Sequence, residues 1–111
     1  MRFSIIVTGH PEQGDSSQSA WRFCCAVLRK QHHILQVFFL HDASYQAFAD
    51  NELSQAWCEL SRQYKFDISI CITAMEKRFF SEEDLQDGFS ANGLGQLVDA
   101  TIQADRTITF R

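Results

Sequence analysis

A single proline and only five glycines are spread over 111 residues, which excludes collagen-like repeats and flexible linkers. No apolar run approaches the roughly 18–20 residues that cross a bilayer, so no membrane span is expected. Basic residues are the minority: ten Lys and Arg against fourteen Asp and Glu give a formal charge of −4. A direct nucleic-acid binder usually carries a basic patch, because neutralising phosphates drives affinity. Here the pairs Arg29-Lys30 and Lys77-Arg78 are separate and small, so no direct nucleic-acid binding is expected. No Cys-x-x-Cys or Cys/His pair has zinc-ligand spacing, and no metal is expected. The opening Met1–Val7 has one basic residue, breaks at Thr8-Gly9-His10-Pro11 and shows no small-residue cleavage site. It reads as no signal peptide, with the cytoplasm as the expected compartment.

What is present fits one folded domain over residues 1–111: 45% apolar and 22% charged residues are ordinary for a globular chain. Strands are expected at 3–8, 34–40, 67–73 and 106–110, each a short run rich in β-branched or aromatic residues. Helices are expected from Asp15, through a capping box with Gln18, to about Lys30, then over 52–64, and from Asn92 or Gly93 to about Ala104. The stretch Ala20–Leu28 is apolar around most of its girth, which predicts a well-buried first helix. Leu53, Ala56, Trp57, Leu60 and Tyr64 mark one face of the second, and Leu94, Leu97, Val98, Thr101 and Ile102 one face of the last. Residues 75–92 read as irregular, with Ser81 and Asp84 suggesting one capped turn. Strands alternating with helices imply an α/β fold: an open, mainly parallel sheet flanked by helices.

Most candidate motifs have an ordinary structural explanation. Gly9-His10-Pro11-Glu12-Gln13-Gly14-Asp15-Ser16 has the glycine spacing of a phosphate loop, but Asp15 stands where Lys is needed and would repel phosphate. Gly93-Leu94-Gly95 is a dinucleotide-fingerprint fragment with Val98 at the third glycine position, and no strand is expected before it. Glu82, Glu83, Asp84 and Asp87 suit the first turns of a helix, where the macrodipole favours acids. His10 and His41 each follow a strand and could face a cleft at its carboxyl edge, whereas His32 and His33 are neighbours whose rings point apart.

Four cysteines, Cys24, Cys25, Cys58 and Cys71, should be free thiols in a reducing compartment. Cys24 and Cys25 fall in the apolar helix and suit packing. Cys58 follows Trp57, beside the apolar stripe, with no visible activating neighbour. Cys71 differs. Along Asp67-Ile68-Ser69-Ile70-Cys71-Ile72-Thr73 the isoleucines face one way, while Ser69, Cys71 and Thr73 face the other. That second face is small and polar, and it ends near the carboxyl edge where open α/β sheets place ligands. The basic residues of Ala74-Met75-Glu76-Lys77-Arg78, or backbone amides at a helix start, would stabilise a thiolate. The pattern alone also fits a small residue packed under a helix.

Several blocks together resemble a known family. Met1-Arg2-Phe3-Ser4-Ile5-Ile6-Val7-Thr8-Gly9, Ala56-Trp57-Cys58-Glu59-Leu60, Ile68-Ser69-Ile70-Cys71, and Gly88-Phe89-Ser90-Ala91-Asn92-Gly93-Leu94-Gly95-Gln96-Leu97 with Asp105-Arg106 look like the DsrE/TusD family of sulfur-relay proteins, its TusD-like members most of all. The resemblance implies a single DsrE-like three-layer domain and a persulfide sulfurtransferase subunit with Cys71 as its carrier thiol. It implies no metal or organic cofactor. The partners it implies are TusB- and TusC-like subunits in a heterohexamer, a TusA-like persulfide donor and a TusE-like acceptor, in 2-thiouridine formation at the tRNA wobble position. The segment between Cys71 and Gly88 is shorter than the family pattern, and Cys25 and Cys58 are not family cysteines. Phe79-Phe80 in that segment would either join a subunit or sulfur-partner interface or pack back on the domain. Two other functions are consistent with these residues: a DsrE-like carrier in sulfur oxidation, and a non-catalytic assembly subunit with structural cysteines.

Overall fold

The run Arg2–Val7 becomes β1 and the loop after Gly9 leads into helix α1, Ser16–Arg29. His33–Phe39 is β2, followed by a 3-10 stretch over His41–Phe48 and helix α2, Glu52–Tyr64. Strand β3 is Asp67–Cys71, helix α3 is Ile72–Lys77, and a 3-10 turn covers Glu82–Asp84. Strand β4, Phe89–Asn92, helix α4, Leu94–Gln103, and strand β5, Arg106–Phe110, complete the chain. This computed structural model describes residues 1–111.

The five strands form one sheet in the order β4-β3-β2-β1-β5, and every neighbouring pair is parallel. Alternation along the strands sorts their side chains into two faces. Phe3, Ile5 and Val7 of β1, with Ile68 and Ile70 of β3, join Ala20, Cys24 and Leu28 of α1 and Trp57 and Leu60 of α2 in the main core. The side chains between them, Ser4, Gln36 and Ser69, are buried on the other face, the face along which α4 runs beside β1 and β2. The result is the expected three layers, with one thick core and one thin one.

A buried hydrogen-bond chain fixes α1, the 3-10 stretch and α2 to one another. Trp57 Nε1 donates to Ser17 Oγ at 3.1 Å, and Ser17 Oγ donates to Gln46 Oε1 at 2.9 Å. Gln46 Nε2 donates in turn to Ser54 Oγ. Asn51 caps α2, its side chain accepting from the Ser54 N–H at 2.9 Å. Each of these groups would cost about 1–3 kcal/mol if left buried and unpaired, so the chain specifies how the three segments meet.

The structure corrects six readings. The third strand stops at Cys71, and Ile72 and Thr73 open α3 instead. Phe89–Asn92, read as irregular, is a strand because it pairs with the exposed edge of β3, Ile68 to Phe89 and Cys71 to Asn92; four residues carry too little pattern to announce this. Asp15 precedes α1 without a side-chain cap. Helix α1 buries one face only, Ser17, Ala20, Cys24 and Leu28, while Trp21, Phe23, Cys25 and Val27 flank the core half-buried. Helix α4 buries no residue fully: Leu97 and Thr101 turn inward half-buried, whereas Leu94, Val98 and Ile102 are 52%, 54% and 75% exposed. Tyr64 at the end of α2 is likewise exposed.

Candidate functional site

Cys71 is the last residue of β3 and the residue before α3. Its backbone is still extended, φ −77° and ψ 128°, so its side chain follows the alternation and shares a face with Ser69. Ser69 Oγ is fully enclosed and accepts from Gln36 Nε2 at 3.0 Å and Asn92 Nδ2 at 2.8 Å. At Ser69 the small polar face is therefore sealed by neighbours. At Cys71 it opens into a cavity of about 290 Å³, although the residue as a whole is only 7% exposed.

Three basic side chains line that cavity, His41, Lys77 and Arg78, with Leu40 and Leu94 supplying apolar wall. Leu40 and His41 come from the carboxyl end of β2, which neighbours β3 in the sheet. Lys77 and Arg78 close α3, and Leu94 opens α4. His41 holds a left-handed backbone, φ 52°, which is uncommon for a residue with a side chain. Arg78 is anchored on three sides. Its Nη1 donates to Ala74 O at 3.1 Å, its Nη2 to Asp42 Oδ1 at 2.7 Å, and its Cζ lies 5.7 Å from the Tyr45 ring centroid. Its Nε–H is buried with no partner. The hydrogen bond from Arg78 holds the Asp42 carboxyl below the usual carboxylate range.

The other thiols have different surroundings. Burial, then the neighbouring Cys25, pushes Cys24 far above the usual thiol range, as suits a packing residue inside the core. Burial raises Cys25 as well, partly opposed by Arg29. Cys58 donates to Asp87 O at 2.7 Å and lines a cavity of about 300 Å³ with Asp50, Glu59, Arg62 and Asp87. Burial raises it, Arg62 lowers it, and Asp87 and Glu59 raise it further.

The remaining candidates are structural. Gly9 lies against Ser16 so closely that a Cβ would collide with its hydroxyl, and the rest of the glycine-spaced loop, residues 12–15, is an exposed turn into α1. Asp84 accepts from both the N–H and the hydroxyl of Ser81 at 3.1 Å, the capped turn expected there. His10 accepts from the Glu12 N–H and packs on Tyr45. The Phe79-Phe80 pair splits: Phe80 stacks on Phe48 at 4.1 Å, while Phe79 is 96% exposed with φ 61°. His41 in the cavity, the Asp42 and Tyr45 supports of Arg78, and the Leu40 and Leu94 walls went unread as one group. They lie on separate segments, and only the strand order brings them together.

A parallel α/β domain with a thiol and cationic groups at the carboxyl edge of its sheet can carry out nucleophilic thiol chemistry. The DsrE/DsrF-like family model matches residues 1–110, and the chain belongs to that family. Similar proteins include DsrE of Allochromatium vinosum, 34% identical over 99% of this chain and 98% of that protein. The sulfurtransferase TusD of Salmonella arizonae is 30% identical over 99% of this chain and 100% of that protein. Both alignments run over 128 positions, more than this chain has residues, so these relatives carry segments that it lacks. The ychN protein from E. coli shares the fold with a TM-score of 0.86, 24% identity and 99% of each chain covered.

Proposed function

We propose that the chain, one DsrE/TusD-like domain over 1–111, is a cytoplasmic sulfurtransferase subunit that relays persulfide sulfur through Cys71 towards 2-thiouridine at the tRNA wobble position. Its similarity to TusD and DsrE supports the sulfur-relay activity. The observation that carries the residue assignment is the position of Cys71 in an open, basic cavity at the end of β3. The thiolate attacks the outer sulfur of a donor persulfide; a new S–S bond forms at Cys71, the donor's S–S bond breaks, and the donor leaves as a thiolate. An acceptor thiolate then repeats the exchange on Cys71–S–SH. Sulfane sulfur moves without net oxidation, and thiolate fraction and access set both rates.

The partners belong to the same proposal: TusB- and TusC-like subunits in a heterohexamer, with TusA-like donor and TusE-like acceptor proteins. The apolar outer stripe Leu94, Val98 and Ile102 and the free ring of Phe79 are surfaces that such company would cover. The test is transfer of labelled sulfur from a persulfidated donor to the wild-type chain and to Cys71→Ser. Label should reach the wild type and pass on to an acceptor thiol. Equal labelling of Cys71→Ser would overturn the assignment.

A further inference from the structure

The cavity beside Cys71 has a charge character that sulfur relay alone does not require. In a chain of net charge −4, none of its lining residues is a carboxylate, and three, His41, Lys77 and Arg78, are basic. Asp42 offsets part of this, but it lies behind the guanidinium, bonded to Nη2, and does not line the cavity. Lys77 is exposed with no ion-pair partner. The Nε–H of Arg78 is a further donor with nothing to bond, an arrangement that is costly in a buried group. The cavity around Cys58 is the reverse: three carboxylates, Asp50, Glu59 and Asp87, face a single Arg62.

We propose that Cys71 is served by an anion-selective pocket, in which Lys77 and Arg78 favour sulfur donors and acceptors that carry a carboxylate close to the reacting sulfur. The inference rests on Cys71 being the carrier thiol. The basic groups act on the substrate's charge, not on the identity of the nucleophile. A carboxylate at about 6 Å from one ammonium group gains roughly threefold in encounter at water-like dielectric, and more where water is partly excluded. The carboxylate could be that of a small thiol or of an acidic side chain flanking a partner's cysteine.

The test compares iodoacetate with iodoacetamide on the native chain, two alkylating agents of similar size that differ in charge. The rate ratio at each cysteine is read by peptide mass mapping and divided by the ratio for a neutral cysteine peptide. Cys71 should favour iodoacetate by about threefold or more, and Cys58 should disfavour it. Lys77→Gln, at an exposed position, should bring the Cys71 ratio towards one, and dividing by the iodoacetamide rate cancels any change in the thiolate fraction. Arg78→Gln should act in the same direction, and Asp42→Asn should raise the ratio. Sulfur transfer from the persulfides of mercaptopropionate and of an acidic cysteine peptide then separates the two sources: each rate is divided by that of a neutral donor of its own size, mercaptoethanol persulfide or a neutral cysteine peptide's persulfide, and the larger ratio identifies which. A Cys71 ratio at or below that of the reference peptide overturns the pocket's selectivity. So does a ratio that Lys77→Gln and Arg78→Gln both leave unchanged. Either result leaves the relay intact if iodoacetamide and persulfide sulfur still reach Cys71, whereas a Cys71 that takes neither ends the relay reading itself.

Discussion

Cys71 and Cys58 sit in cavities of nearly equal size, about 290 and 300 Å³, yet their surroundings are opposite. Cys58 projects from the side of α2 and donates to the Asp87 carbonyl, where burial, against Arg62 and with Asp87 and Glu59, disfavours its charged form. Cys71 ends a strand, and the neighbouring strand end and the helix that follows bring basic groups to it. Cavities of similar volume therefore give two thiols very different electrostatic surroundings. The carboxyl edge of a parallel sheet gathers side chains from several segments around one point, and a helix flank does not. The strand order reverses between β1 and β5, where open α/β sheets most often bind ligands. There, however, Thr8 bonds through its N–H to the Phe110 carbonyl at 2.9 Å, and the cysteine cavity opens two strands away.

The largest effect should come from removing the favoured thiol. Cys71→Ser should lose sulfur acceptance to background while its thermal unfolding stays near the wild type, since the change is small and the site is open. Next is the support on the Cys58 side. Gly88 has φ +100°, and a Cβ there would lie 3.0 Å from Cys58 Sγ. Gly88→Ala should destabilise the chain by about 1–3 kcal/mol in urea unfolding. Adding Cys58→Ala should recover the steric part of that loss but not the backbone part, a non-additivity that a double-mutant cycle reads directly. Gln46→Ala should cost about 1–3 kcal/mol by leaving the buried Ser17 O–H without its acceptor and Ser54 Oγ without its Nε2 donor. Cys58→Ser should leave sulfur acceptance within about twofold of the wild type. A large loss would mean that the acidic cavity, not the basic one, holds the carrier.

The smallest effect is a pH dependence. Asp42 has a depressed carboxyl pKa because Arg78 bonds to it. Its contribution is fully present above the unfolded carboxylate value of about 3.9 and is lost as pH falls below that. The tether that fixes Arg78 should therefore weaken only in acid. Asp42→Asn should lower thermal stability slightly near neutrality and converge with the wild type in acid, so that the acid limb of its profile is flatter.

The sequence made the parallel α/β plan legible because its strands are compact runs of Val, Ile and Phe separated by periodic helices. Helix α2 and strand β5 have the boundaries their patterns announce. Cys71 stood out because alternation set it beside Ser69 and apart from Ile68 and Ile70, and that face is where the structure puts it. The boundary after Cys71 was not legible: Ile72 and Thr73 are β-branched and continue the alternation, so only the fold turns them into a helix. Strand β4 exists through its pairing with β3 rather than through its own residues. Helix α4 misleads for another reason. Its apolar positions wrap both sides, and the outer stripe of Leu94, Val98 and Ile102 has the same spacing as a core face.

Which sulfur atom accepts the cargo separates Cys71 from the other three thiols. Intact-mass measurement after exposure to a persulfidated donor, followed by peptide mapping under non-reducing conditions, answers this directly. One added sulfur on the peptide that carries Cys71, and none on those with Cys24, Cys25 or Cys58, is the expected result. Added sulfur on Cys58 or Cys25 instead, or a chain that leaves the incubation with its mass unchanged, would contradict it.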